Sequence, residues 1–204
     1  MHFRKEAVIP SLKEKYHDIY SSIDYGPVST ARGLMEALYA AQTLKPRKTL
    51  CVGSGNAYEA VCLLKYGFDV YTLDYHHPDI PILKGRQTIG IGQHLPFKDD
   101  TFELVFSAEC IEHVPEDDIE QFMLELKRVG TLFRFTVATD DDPPYYSHLC
   151  IHDLEWWEKK FRKWGFIGTI FAPKIYNLQF PKAKGIFGVD SDKGFRFEGS
   201  KNLS

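Results

Sequence analysis

The chain has 204 residues, a formal net charge of −3, and hydrophobic and charged fractions of 44% and 26%. These values suit a globular protein with room for one α/β core. They argue against a general attraction to nucleic acid, and no apolar run approaches the roughly 18 residues of a membrane span. The opening Met1-His2-Phe3-Arg4-Lys5-Glu6 is charged at once and lacks the apolar core of a signal peptide. Cys51, Cys62, Cys110 and Cys150 show no Cys-x-x-Cys spacing, which reads as free thiols in a reducing compartment, the cytoplasm.

A first helix is expected from Pro10, with Ser11 and Glu14 at capping-box spacing and Leu12, Tyr16, Ile19, Tyr20 and Ile23 on one face. Gly26-Pro27 ends it. A second helix spans about Ser29 to Leu44, with Leu34, Leu38 and Ala41 inward. Strands and helices then alternate. Strand Thr49–Val52 runs through a glycine turn, Gly53–Asn56, into helix Ala57–Tyr66, which Gly67 stops. Strand Asp69–Leu73 ends at Asp74. The proline-bearing segment Tyr75–Arg86 is irregular, and Gln87–Ile91 is a weaker third strand. Asp99-Asp100 turns the chain into strand Phe102–Ser107. Pro115 opens a helix with Ile119, Phe122, Met123 and Leu126 as its apolar stripe, closed by Gly130. Strand Thr131–Val137 leads to an acidic loop, Thr139–His152. Asp153 caps a helix bearing Leu154, Trp157, Phe161 and Trp164 inward. Phe166–Ala172 is a sixth strand, and Phe195-Arg196-Phe197 a candidate last one.

This alternation predicts an α/β fold: a mainly parallel sheet with helices on both faces. In such sheets ligands sit beyond the carboxyl ends of the strands. Gly53–Asn56, Asp74, Gly92–Leu95, Ser107–His113 and Asp140–His148 all fall at that edge. Gly53 and Gly55 permit a sharp turn and close approach of a ligand to the backbone. Asp74 follows at the roughly 20-residue spacing at which an acid holds a ribose diol. A strand-end acid of this kind is expected to be exposed to solvent.

Cys51-Val52-Gly53-Ser54-Gly55, Asp74 and the run Gly92-Gln93-His94-Leu95-Pro96-Phe97 through Ser107 resemble the motifs of the class I S-adenosylmethionine-dependent methyltransferases. The resemblance covers roughly Lys48 to Phe166. It implies a Rossmann-like three-layer sandwich and a single methyltransferase-like domain. Residues 1–47 would form a helical cap, 48–172 the core and 173–204 a C-terminal extension. It implies S-adenosyl-L-methionine as cofactor, held by Gly53, Ser54, Gly55, Asp74, Tyr75, Gln93, His94 and Glu109. The N-terminal helices would cover it, with Tyr16, Tyr20 or Tyr25 nearby. The acceptor would be a polar small molecule, methylated at oxygen or nitrogen, with His148 as first candidate base and His113 as second. Oligomeric state stays open.

Three positions depart from the family pattern. Cys51 stands where an acid usually ends the first strand, Ala57 replaces the third glycine, and Ile91 replaces an acid at the adenine edge. They favour a rival reading, a regulatory module that keeps the fold without catalysis. A nicotinamide dehydrogenase is a second rival, set back by the absent third glycine. Glu109, Glu112 and His113, expected on one helical turn, with His148 later, resemble the divalent-ion ligands of some members that methylate RNA ends. The bland alternative is that Glu112 and His113 only cap the next helix. Asp140-Asp141-Asp142, with Tyr145, Tyr146 and His152 in the same loop, read either as a solvated charge run or as part of an acceptor pocket.

Overall fold

A computed structural model describes residues 27–45, 47–76, 78–140, 147–171 and 194–201. The helix expected from Pro10, the tyrosines Tyr16, Tyr20 and Tyr25, and Asp141, Asp142, Tyr145 and Tyr146 lie outside them. The elements in order are α1 (Pro27–Thr43), β1 (Lys48–Val52), α2 (Tyr58–Lys65), β2 (Asp69–Asp74), β3 (Gln87–Ile89), β4 (Phe102–Ala108), α3 (Ile119–Val129), β5 (Gly130–Val137), α4 (Leu154–Lys163), β6 (Phe166–Phe171) and β7 (Phe195–Lys201). Single 3-10 turns lie at Pro81–Leu83 and Ile111–His113.

The strands form one seven-stranded sheet in the order β3-β2-β1-β4-β5-β7-β6. β1, β2, β3, β4 and β5 pair in parallel, and β7 runs antiparallel between β5 and β6. β1 is flanked by β2 and β4, so the order reverses there and a crevice opens at its carboxyl end. The buried runs Thr49–Val52 and Leu104–Ser107 explain the central position of β1 and β4, since strands covered on both faces read as continuous apolar stretches.

One face carries an aromatic core. Phe133, Phe135, Phe161, Phe166, Phe195 and Phe197 pack with Trp157 under α3 and α4. The other is finer-grained: Ala37, Ala40, Ala60 and Leu63 from α1 and α2 lie on Cys51, Leu104 and Phe106. Of the inward residues that the periodicity suggests, Leu38 and Ala41 pack partly buried against this core, but Leu34 does not. Leu34 is exposed, and Gly33, Glu36, Ala37 and Ala40 turn inward. Small residues allow close approach to α2, and Glu36 meets the Arg196 guanidinium at 3.4 Å. Arg196 and Arg134 lie over the Tyr39 ring, at 4.4 and 4.8 Å from its centroid, and both reach Glu198. Burial of such charges is tolerable because each has a partner.

Pro115 does not open α3. Residues Pro115–Asp118 form a turn, closed by the Asp118 N–H donating to the Pro115 carbonyl at 2.8 Å, and the helix begins at Ile119. Gly130 closes α3, its N–H donating to the Leu126 carbonyl, and also starts β5; Val105 packs where its Cβ would be.

Candidate functional site

The glycine turn is built by backbone bonds. The Gly53 N–H donates to the Leu73 carbonyl at 2.9 Å, and the Ala57 N–H to the Ser54 carbonyl at 2.6 Å. Gly53 has φ +69° and Gly55 φ +46°. A side chain at Gly53 would also run into Cys110 Sγ, so this glycine is needed for space as well as for conformation. Ala57 keeps the left-handed conformation of the absent third glycine, at φ +56°.

Asp74 is buried, at 5% exposure, against the expectation of a solvated strand-end acid. The reason is local: its Oδ2 accepts the Gly55 N–H at 2.7 Å and its Oδ1 the His76 N–H at 3.2 Å, which draws the carboxylate under the turn. Burial pushes this acid up to about 6, opposed by those backbone donors.

A cavity opens beside it. Gly53, Leu73, Asp74 and Tyr75 line it, with a wall that includes Gly92, Gln93, Val114 and Phe122 and, beyond β4, Glu109, Cys110 and His113. A Cβ at Gly92 would lie 2.1 Å from the Phe122 ring, so glycine is what lets the ring reach the wall. The wall is fixed from α3. Glu125 accepts the Leu95 N–H at 2.8 Å, and Arg128 donates to the carbonyls of Leu95 and Phe97 at 3.0 and 2.7 Å. His94 is exposed and stands off this wall, and Ser54 lies buried behind the turn.

Beyond β4 the chain does not make the helical turn expected to carry Glu109, Glu112 and His113 together. Glu109 has a left-handed conformation, φ +51°, and precedes the 3-10 turn Ile111–His113. Its side chain stays outside the close group of Glu112, His113 and His148, though its charge still acts on Glu112. Glu109 pairs with Arg32 of α1 at 2.5 Å. Glu112 is fully buried; Oε1 accepts the Ala138 N–H at 3.1 Å, and burial raises its carboxyl well above the ordinary value. Its backbone carbonyl accepts the N–H groups of Leu149 and Cys150, which brings His148 to His113.

The two imidazoles meet edge to face with centroids 4.8 Å apart. His113 Nδ1 lies 3.1 Å from the Ser147 carbonyl, and His148 Nδ1 contacts the Asp140 carbonyl. A carbonyl only accepts, so each Nδ1 carries the proton and each Nε2 keeps its lone pair in the neutral ring. The ligand atoms of Glu112, His113 and His148 all lie within 4.8 Å of one another. His152 stands apart from them, stacked on Trp156 at 3.8 Å.

Residues missed by sequence reasoning are Arg32, Cys110 and Glu59. Arg32 and Cys110 carry no local signal, because each reaches the site through a partner distant in sequence. Glu59, in the first turn of α2, had a readable position directly after the glycine turn.

Residues 50–131 match the family model described as a methyltransferase domain. Norajmaline N-methyltransferase of Rauvolfia serpentina is 30% identical over 138 residues, covering 58% of this chain and 47% of that protein. The chain thus spans about half the length of that curated relative. In structure it is similar to Burkholderia thailandensis 1,6-didemethyltoxoflavin-N1-methyltransferase, solved with 1,6-didemethyltoxoflavin and S-adenosylhomocysteine. The TM-score is 0.67 at 15% identity, over 97% of this chain and 88% of the other. Haemonchus contortus phosphoethanolamine N-methyltransferase 2, solved with S-adenosyl-L-methionine, gives a TM-score of 0.60 at 15% identity, over 97% and 58%. The sheet order and these likenesses identify the fold as that of the class I methyltransferases.

Proposed function

We propose that this chain, a methyltransferase domain on the class I fold, binds S-adenosyl-L-methionine and methylates a polar small molecule. The observation that carries this is the continuous slot from the buried Asp74 to His113. Asp74 spends part of its acceptor capacity on Gly55 and His76, and the lone pairs that remain suit a ribose diol. The apolar walls of Leu73, Val114 and Phe122, with the glycines Gly90 and Gly92, suit a flat purine. Gln93 and Tyr75 border that part, and Glu109 stands toward the other end.

The bound cofactor supplies a methyl group on a sulfonium, ready for in-line attack by a nucleophile. The chain's own work is positioning and proton removal. His113 lines the slot, and His148 abuts His113 with Nε2 unprotonated in the neutral ring. One of them takes the proton of the attacking nitrogen or oxygen, His148 first. Support for nitrogen comes from the names of the relatives. The free cysteines suit a reducing compartment such as the cytoplasm, and no described helix is long and apolar enough to cross a membrane.

Calorimetry with S-adenosylmethionine and S-adenosylhomocysteine tests the reading directly, with an adenine dinucleotide titrated beside them. Micromolar binding of the first two is expected. No binding at millimolar concentration would end it, and dinucleotide binding alone would favour an oxidoreductase. Binding without transfer to any small amine or alcohol panel would favour the regulatory module, to which Cys51, Ala57 and Ile91 point.

A second reading has one observation in its favour. Glu112 Oε2 is buried with no hydrogen-bond partner among the described residues, next to the Nε2-basic imidazoles of His113 and His148. One carboxylate and two imidazoles are a donor set that suits a divalent ion. Such an ion would hold the acceptor, including the end of an RNA, instead of a histidine taking its proton. A chelator that abolishes transfer, restored by added ion, would establish it; unchanged activity would leave the histidine base.

A further inference from the structure

The glycine turn has an acid that the family pattern does not supply. Cys51 ends β1 where a carboxylate is usual, and its thiol is wholly buried. Glu59 enters from the other side of the turn, as the second residue of α2. Its Oε2 would lie 3.8 Å from a Cβ on Gly33 of α1, a point itself 3.7 Å from Cβ of Ala108 at the end of β4. The carboxylate is therefore seated between α1 and the ends of β1 and β4, close under the turn. Gly33 leaves that space open.

No cation among the described residues accounts for this acid. The groups acting on Glu59 are its own backbone N–H and the Asp74 carboxylate, with no described lysine or arginine. Burial then pushes it up to about 8, and Asp74 adds to the shift. The neighbouring Arg32 is committed to Glu109. A partly buried carboxyl with no cationic partner among the described residues is costly when charged, and any cation brought to it relieves that cost. A second orphan lies in the turn itself: Ser54 Oγ is buried without a hydrogen-bond partner among the described residues.

We propose that Glu59 receives the α-ammonium of the cofactor's amino-acid tail, in the role that Cys51 leaves empty, an inference that rests on the cofactor reading above. Asp74 and Glu59 then divide the ligand between them, the ribose to one and the charged tail to the other.

The division can be measured with three ligands. S-adenosylhomocysteine carries the ammonium, its deamino analogue lacks only that group, and 5′-methylthioadenosine lacks the whole tail. Calorimetry on the wild-type chain should find the deamino analogue weaker than S-adenosylhomocysteine by about tenfold or more. Glu59→Gln should weaken S-adenosylhomocysteine to near the deamino level. It should leave the deamino analogue and 5′-methylthioadenosine within about threefold, as expected when a single charged contact is removed. Glu59→Asp, which keeps the charge on a shorter arm, should fall between. Equal weakening of all three ligands by Glu59→Gln would make the residue structural and overturn the inference. So would a wild-type chain that does not distinguish the first two ligands, a result that needs no mutant to fold. If the wild-type chain binds none of the three, the cofactor reading fails and takes this one with it. Binding of 5′-methylthioadenosine with no preference for the ammonium defeats Glu59 alone.

Discussion

The two ends of the slot are built by different means. At the Asp74 end the carboxylate is held by main-chain N–H groups of Gly55 and His76, and the turn above it by further main-chain bonds. At the His113 end the groups are side chains, aimed by carbonyls of Ser147 and Asp140 that lie on either side of residues 141–146. A backbone-built site is fixed once the strands pair. A side-chain-built site depends on the loop that aims it, and loops vary most readily. The first end therefore suits an invariant ligand, the second a variable one.

The sharpest way to break this contrast is at the histidines. His148→Ala should slow transfer by about 10²–10⁴-fold while leaving cofactor affinity within about threefold. Equal loss of affinity would mean that the two ends are not separate. Asp74→Ala should do the reverse. Affinity for S-adenosylhomocysteine should fall by about 1.5–3 kcal/mol, and, because the acid is buried beneath the turn, stability should also fall by about 1–3 kcal/mol. Calorimetry and denaturant unfolding read the two effects; an unchanged unfolding midpoint would contradict the buried bond to Gly55.

A smaller effect concerns pH. Burial, as the largest cause, raises Asp74 to about 6 and Glu59 to about 8, whereas in the unfolded chain both titrate near 4. Between these limits the folded protein holds protons that the unfolded chain has released, so stability falls as pH rises. Ligand-free protein should therefore be measurably less stable at pH 8.5 than at pH 5. Asp74→Asn and Glu59→Gln should each flatten the slope. A slope unchanged in both would belong to Glu36 under α1, which burial raises to about 7 against the pull of Arg196 and Arg134.

The smallest change is expected at Ala57. Its left-handed backbone strains a residue with a Cβ. Ala57→Gly should stabilise the protein by about 0.5 kcal/mol, strain relief exceeding the added chain entropy, without altering affinity. Destabilisation in thermal unfolding would show that the methyl packing of Ala57 outweighs its strain.

What could be read without coordinates follows the same division. The strand–glycine–helix sequence, Asp74 and the Gly92–Ser107 run were legible because their chemistry is local and their spacing is set by one βαβ unit. The burial of Asp74 was not, because it depends on which N–H groups the turn points inward. The face of α1 was read in part: Leu38 and Ala41 do pack inward, but Leu34 does not, because this interface also uses Gly33, Ala37, Ala40 and an ion pair to Arg196, 160 residues away. Glu109 departed from its expected helical turn through one left-handed residue. The edge-to-face pair of His113 and His148 was anticipated only as a list of candidates; their contact rests on Glu112 holding Leu149 and Cys150.

The place of β7 bears on how the chain is made. Among the described residues β6 pairs only with β7, and β7 begins at Phe195, well after β6 ends at Phe171. During synthesis, β6 therefore emerges with no strand to join, and the far edge of β5 stays open until the last strand arrives. Arg196 on that strand also supplies the partner of Glu36 near the other end of the chain. A nascent chain that stops before β7 has an open edge at β5 and leaves Glu36 with Arg134 but without Arg196. The parallel half can form first, closure waits for β7, and chaperones that shield strand edges would act in that interval.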